Sequence, residues 1–82
     1  MTTYTALTTV TGKPMGEALG TALEQLDPAP TGVCVFEVEE GSGLWEVGGY
    51  FLEKPDDIAL ALLAAVHGAK DFVISKVPDV DW

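Results

Sequence analysis

The sequence predicts an α+β sandwich of order β-α-β-β-α-β: a four-stranded antiparallel sheet with two helices on one of its faces. Three observations predict it. Two segments repeat apolar residues at helical spacing, four short segments are rich in β-branched and aromatic residues, and Gly, Pro and Asp clusters separate them. At 82 residues with 48% hydrophobic content, the chain is long enough for one core and too apolar for disorder.

The first strand is "YTALTTV", Tyr4 to Val10, and "TGKP" ends it. Pro14 then suits a first helical turn. From there Met15, Ala18, Leu19, Ala22, Leu23 and Leu26 fall on one face of a helix, which stops at "DPAPTG". Gly16 and Gly20 weaken that helix by about 1 kcal/mol each relative to alanine, so it depends on packing.

The second strand is "VCVFEVEE", with Cys34, Phe36 and Val38 on one side and Val35, Glu37 and Glu39 on the other. "EGSG" is a loop of hairpin length, and "LWEVGGYFLE" returns as the third strand. Gly48-Gly49 inside it predicts a bulge or a close backbone approach.

"KPDDIALALLAAVHG" predicts the second helix, with Pro55 at its start, Asp56 and Asp57 at the positive end of its dipole and Gly68 just past its end. Ile58, Leu62, Ala65 and Val66 form the expected core stripe, and Leu60 lies opposite it. "DFVISKV" is the fourth strand. The order is that of a ferredoxin-like sandwich with right-handed β-α-β crossovers, whose second sheet face is bare unless a partner covers it.

Composition narrows the function. Thirteen acids face four lysines (Lys13, Lys54, Lys70 and Lys76) with no arginine, for a net charge of −9. Nucleic-acid binding needs cations that displace phosphate counterions, so a basic protein is the natural complement. A solvated acidic surface that keeps the domain soluble is the plain alternative. No run approaches the roughly 18 apolar residues of a membrane span, and the first ten residues lack the basic start of a signal peptide. One cysteine, Cys34, forms neither an internal disulfide nor a CxxC site. These features suit a cytoplasmic protein.

Catalytic groups are sparse. His67, the single histidine, sits near a helix end with no nucleophile adjacent in sequence, and Cys34 lies in an apolar strand as a small core residue. "GSG" at Gly41 to Gly43 joins two strands, whereas phosphate-binding glycine loops run from a strand into a helix. An acylphosphatase needs an arginine, a copper chaperone needs CxxC, and an RNA-recognition sheet needs basic and aromatic residues. The residues predict a binding or positioning domain, with no catalytic or metal-ligating set.

Four stretches in fixed order, "PTGVCVFE", "GLWEVGGYF", "PDDIALALLAA" and the closing "ISKVPDVDW", resemble the N-terminal domain of the PrmA family, the methyltransferases of large-subunit ribosomal protein eleven. The tail is the most specific part: Asp79, Asp81 and Trp82 match the acidic "D-x-D-W" that ends the family's small domain. The resemblance implies a recognition domain over residues 1–77, with 78–82 starting a linker to a catalytic domain absent from this chain. It further implies a cytoplasmic parent enzyme that methylates amino groups of that ribosomal protein. S-adenosylmethionine would be held by the catalytic domain, and no cofactor by these residues.

The site expectations follow. The sheet face carrying Glu37, Glu39, Glu46 and Tyr50 is expected to attract the basic ribosomal protein. Leu60 and Trp82, with Asp79 and Asp81 in the same tail, are expected to meet the catalytic domain, the linker or a neighbouring copy in a homodimer. The alternative is a dimeric small-ligand regulatory module of the same fold, stabilised by an amino acid or similar metabolite.

Overall fold

The protein is described by a computed structural model, which places residues 3–27 and 29–77. Its elements are β1 (Thr3–Thr11), α1 (Lys13–Glu24), β2 (Gly32–Glu37), β3 (Leu44–Phe51), α2 (Asp57–Val66) and β4 (Val73–Val77). The sheet order is β2-β3-β1-β4, and every neighbouring pair is antiparallel. β3 therefore lies between the parallel strands β1 and β2, and β1 lies between β3 and β4. This arrangement is the ferredoxin-like sandwich that the order of elements predicts.

One cluster of side chains forms the core between helices and sheet: Ala6, Val10, Leu19, Leu23, Val47, Phe51 and Leu60. Each fully buried Leu, Val or Phe contributes about 1.5–3 kcal/mol from area removed from water. The buried hydroxyl of Thr8 is satisfied by donating to the Lys70 carbonyl, which also ties the loop before β4 to β1.

Helix α1 packs through its glycines. Its buried residues are Gly16, Leu19, Gly20 and Leu23, at i, i+3, i+4 and i+7, while Met15 and Ala18 are exposed. A methyl group on Gly16 would lie 3.3 Å from Trp45 Cβ, and one on Gly20 would lie 2.8 Å from Val35 Cγ2. The two missing side chains let the helix backbone sit down on Val33, Val35 and Trp45. The helical face is thus rotated from the expected one, because the close approach to the sheet occurs where there is no Cβ. At its start Gly12 has φ 93°, a conformation favouring glycine, and its N–H donates to the Gly43 carbonyl at 2.9 Å.

Helix α2 reverses its expected stripe. Leu60 and Ala64 are buried and Leu63 packs against the core, whereas Ile58, Leu62 and Val66 are 70%, 62% and 76% exposed. The helix is apolar nearly all round, so periodicity alone carried no information on which side faces inward. Its ends behave as the sequence predicts. Asp56 Oδ1 accepts from the Ile58 and Ala59 N–H groups at 3.0 and 3.3 Å. At the far end Ala69 N–H donates to Ala64 O and Gly68 N–H to Ala65 O, with Gly68 at φ 65°. That is the Schellman pattern of a glycine-terminated helix.

The pairing of β1 with β3 runs without interruption from Tyr4↔Phe51 to Thr11↔Leu44. Gly48-Gly49 therefore forms no bulge; both glycines mark close approach. A side chain on Gly48 would collide with Leu7 Cδ2 and come within 3.2 Å of Cys34 Sγ, and one on Gly49 would meet the Phe51 ring at 3.0 Å. No helix among the described residues is long and apolar enough to cross a membrane.

Candidate functional site

An unbroken register fixes which side chains share each face, because paired residues point the same way. Trp45, Val47, Gly49 and Phe51 face the helices with their partners Val10, Thr8, Ala6 and Tyr4. The alternate positions make the open face. Thr5, Leu7, Thr9 and Thr11 come from β1, Leu44, Glu46 and Tyr50 from β3, Cys34 and Phe36 from β2, and Val73, Ser75 and Val77 from β4. Neither helix covers them. Phe36 is 47% exposed, Tyr50 44% and Val73 65%, and Leu44 and Val77 are exposed as well.

This face is apolar and hydroxyl-bearing, which corrects the expected acidic one. Glu46 and Tyr50 do lie on it, since Phe36 pairs with Glu46 and Gly32 with Tyr50. Glu37 does not: it pairs with Trp45 on the helix side, where its carboxylate accepts from the Gly43 N–H at 3.4 Å. Glu39 lies beyond the end of β2, in a turn closed by Ser42 N–H to Glu39 O at 2.9 Å. The expectation grouped these acids from their alternation along the hairpin strands; the pairing of Glu37 with Trp45 and of Phe36 with Glu46 puts Glu37 and Glu46 on opposite faces. With the register continuous, Glu46 is the one acid that the paired strand positions bring to the open face.

Leu60 is the second correction. At 1% exposure, inside the core cluster, it offers nothing to another domain. The exposed apolar stripe of α2 is instead Ile58, Leu62 and Val66. Asp79, Asp81 and Trp82 lie outside the described residues.

Between β1, β3 and β4 the open face dips into a depression of about 280 Å³, lined by Leu7, Thr8, Thr9, Glu46, Lys70, Asp71 and Val73. The register explains its walls: Leu7 pairs with Val73 and Thr9 with Glu46, so two aliphatic and two polar side chains stand around one hollow. Lys70 N–H donates to Thr9 O at 3.1 Å and holds the end wall in place. Among the described residues the side-chain ion pair is Lys13–Glu17, at 3.8 Å on exposed α1, and neither Glu46 nor Asp71 takes part in one. No local sequence signal marks this hollow, because Val73 and Glu46 become neighbours of Leu7 and Thr9 only through strand pairing.

His67 and Cys34 have structural surroundings. His67 Nδ1 lies 2.8 Å from the Leu63 carbonyl, at the end of α2. Cys34 is a half-buried free thiol in β2, beside Gly48. The Gly41–Gly43 stretch joins two strands without leading into a helix N-terminus. No protein-family model, no curated protein and no solved structure matches this chain.

Proposed function

We propose that this chain is a non-catalytic recognition domain that binds a basic protein across the open face of its sheet. The observation that carries the reading is the bare face itself. Phe36, Leu44, Tyr50, Val73 and Val77 are exposed together on one side of a four-stranded sheet. Exposed apolar side chains gathered on one sheet face, here interspersed with hydroxyls, are a feature of interaction sites, and aromatic residues are the side chains that most often anchor one. The net charge of −9 selects the sign of the partner and speeds its approach.

The resemblance of "PTGVCVFE", "GLWEVGGYF", "PDDIALALLAA" and "ISKVPDVDW" to the PrmA family supports a more specific version. In it the partner is large-subunit ribosomal protein eleven, in the cytoplasm. The domain orients that protein for methylation by a catalytic domain of the parent chain, which holds S-adenosylmethionine. The α2 stripe of Ile58, Leu62 and Val66, in place of Leu60, is the apolar surface left for that catalytic domain.

Calorimetric titration with the purified ribosomal protein tests the reading. Binding is expected at low salt, weaker as salt rises toward the regime where exposed charges are screened beyond about 10 Å. Phe36→Ser and Tyr50→Ala should each weaken it by about tenfold or more while the domain stays folded, as for a buried aromatic anchor. Absence of binding at high protein concentration would remove the proposal. A rise in melting temperature with free amino acids instead would favour the small-ligand module.

A further inference from the structure

The open face carries one feature that a generic apolar patch would lack: a hollow lined by aliphatic and acidic residues together. We propose that this hollow is a socket for a single lysine side chain of the partner protein. The assignment rests on the docking role of the open face and adds the chemistry of what enters it.

A lysine side chain is a four-carbon apolar stem ending in a compact, strongly hydrated cation. Its burial is favourable where the stem lies along apolar surface and the ammonium stays near water and acceptors. The hollow supplies both. Leu7 and Val73, paired across β1 and β4, form the apolar walls, and the Thr9 hydroxyl lies beside them. Glu46 is half-buried and paired with Thr9, and Asp71, which also lines the hollow, is exposed. Lys70 also lines the hollow, and two carboxylates against one ammonium leave it net negative. Neither carboxylate is engaged in an ion pair among the described residues.

An arginine suits the site less well. Its planar fork is best met by a carboxylate gripped in a bidentate manner, whereas here the acceptors stand on separate strands and loops around a rounded hollow. A free amino acid would bring a further carboxylate into a hollow that already holds two, with Lys70 alone to meet it.

The test is NMR titration of the full chain with two short neutral-ended peptides, acetyl-Gly-Lys-Gly-amide and its Nε-acetyl-lysine counterpart. The lysine peptide should shift the amides of Leu7, Thr9 and Val73 in a saturable way, and the acetylated peptide should leave them unmoved. Glu46→Gln, nearly isosteric, should weaken that binding about fivefold, the factor that about 1 kcal/mol represents, while Glu39→Gln on the distant turn changes nothing. Unsaturable shifts spread over the acidic loops, or equal binding by Glu46→Gln, would overturn the socket. So would equal shifts from free alanine, which would make the hollow an amino-acid site. The two readings fail separately. If the ribosomal protein binds Glu46→Gln as tightly as the native chain, the socket is wrong and the docking face stands. If the lysine peptide binds as expected while the ribosomal protein does not bind, the socket stands and the choice of partner is wrong.

Discussion

The two helices lie on the same face of the sheet and are held there by different means. Helix α1 has no side-chain N-cap and presents two glycines to β2 and β3, so backbone proximity over Val35 and Trp45 adds to the burial of its Leu19 and Leu23. Helix α2 is capped at both ends and contributes Leu60 and Ala64 to the core, yet it keeps Ile58, Leu62 and Val66 in solvent. In α1 the outward side is polar (Lys13, Glu17, Thr21 and Glu24); in α2 it is apolar. The difference teaches that an apolar stripe does not by itself identify the buried side of a helix. In α1 the missing Cβ atoms of Gly16 and Gly20 lie on the buried side beside Leu19 and Leu23.

Truncation at Leu60 is the sharpest way to break this comparison. Leu60→Ala should destabilise the domain by about 2–5 kcal/mol, the range for emptying a packed leucine site. Chemical denaturation measures it directly, and a loss below about 1 kcal/mol would mean that α2 packs by its other side. Next in size is Gly20→Val on α1. Its branched side chain would drive into Val35, with an expected overpacking penalty of about 1–3 kcal/mol and a visible loss of the α1–β2 contact in nuclear Overhauser spectra. If Gly20→Val proved neutral, the close approach of α1 would be refuted.

The caps give a smaller effect. Asp56→Ala removes the acceptor of two α2 N–H groups and should cost about 1 kcal/mol, read as a lower midpoint with an unchanged denaturant slope. Smallest of all is Leu62→Ala, where a solvent-exposed side chain is lost and the change should stay within about 0.5 kcal/mol. Leu60→Ala and Leu62→Ala are the same chemical change two residues apart, so the ratio of their effects reports the facing of the helix alone.

Much of the fold was legible in the sequence because its punctuation is local. Pro14, the Asp56 cap and Gly68 each announce a helix boundary through their own backbone chemistry, and four β-rich segments between them leave few ways to order a sheet. Helix facing was less legible. In α1 the buried positions include Gly16 and Gly20, which count for nothing in a search for large apolar residues; in α2 both sides are apolar.

The open face was legible only in part. Glu46 and Tyr50 do share one face, but Glu37 was placed with them although the register between β2 and β3, which sets their relative facing, is not written in either strand alone. Whether two glycines insert a residue or merely make room depends on what crosses them, here Leu7 on one side and Phe51 on the other. That is a tertiary fact. The hollow between Leu7, Glu46 and Val73 joins three strands far apart in sequence, so no local pattern could reveal it.

The central proposal is that the open sheet face, and not the more exposed stripe of α2, is the docking surface for a basic protein. The most direct measurement is an NMR titration of the labelled chain with large-subunit ribosomal protein eleven, followed at Leu7, Phe36, Tyr50 and Val73 and, in the same spectra, at Ile58, Leu62 and Val66. The account predicts saturable shifts in the first group that weaken with salt, and a quiet second group. Shifts confined to Ile58, Leu62 and Val66 would contradict it and place the docking surface on α2.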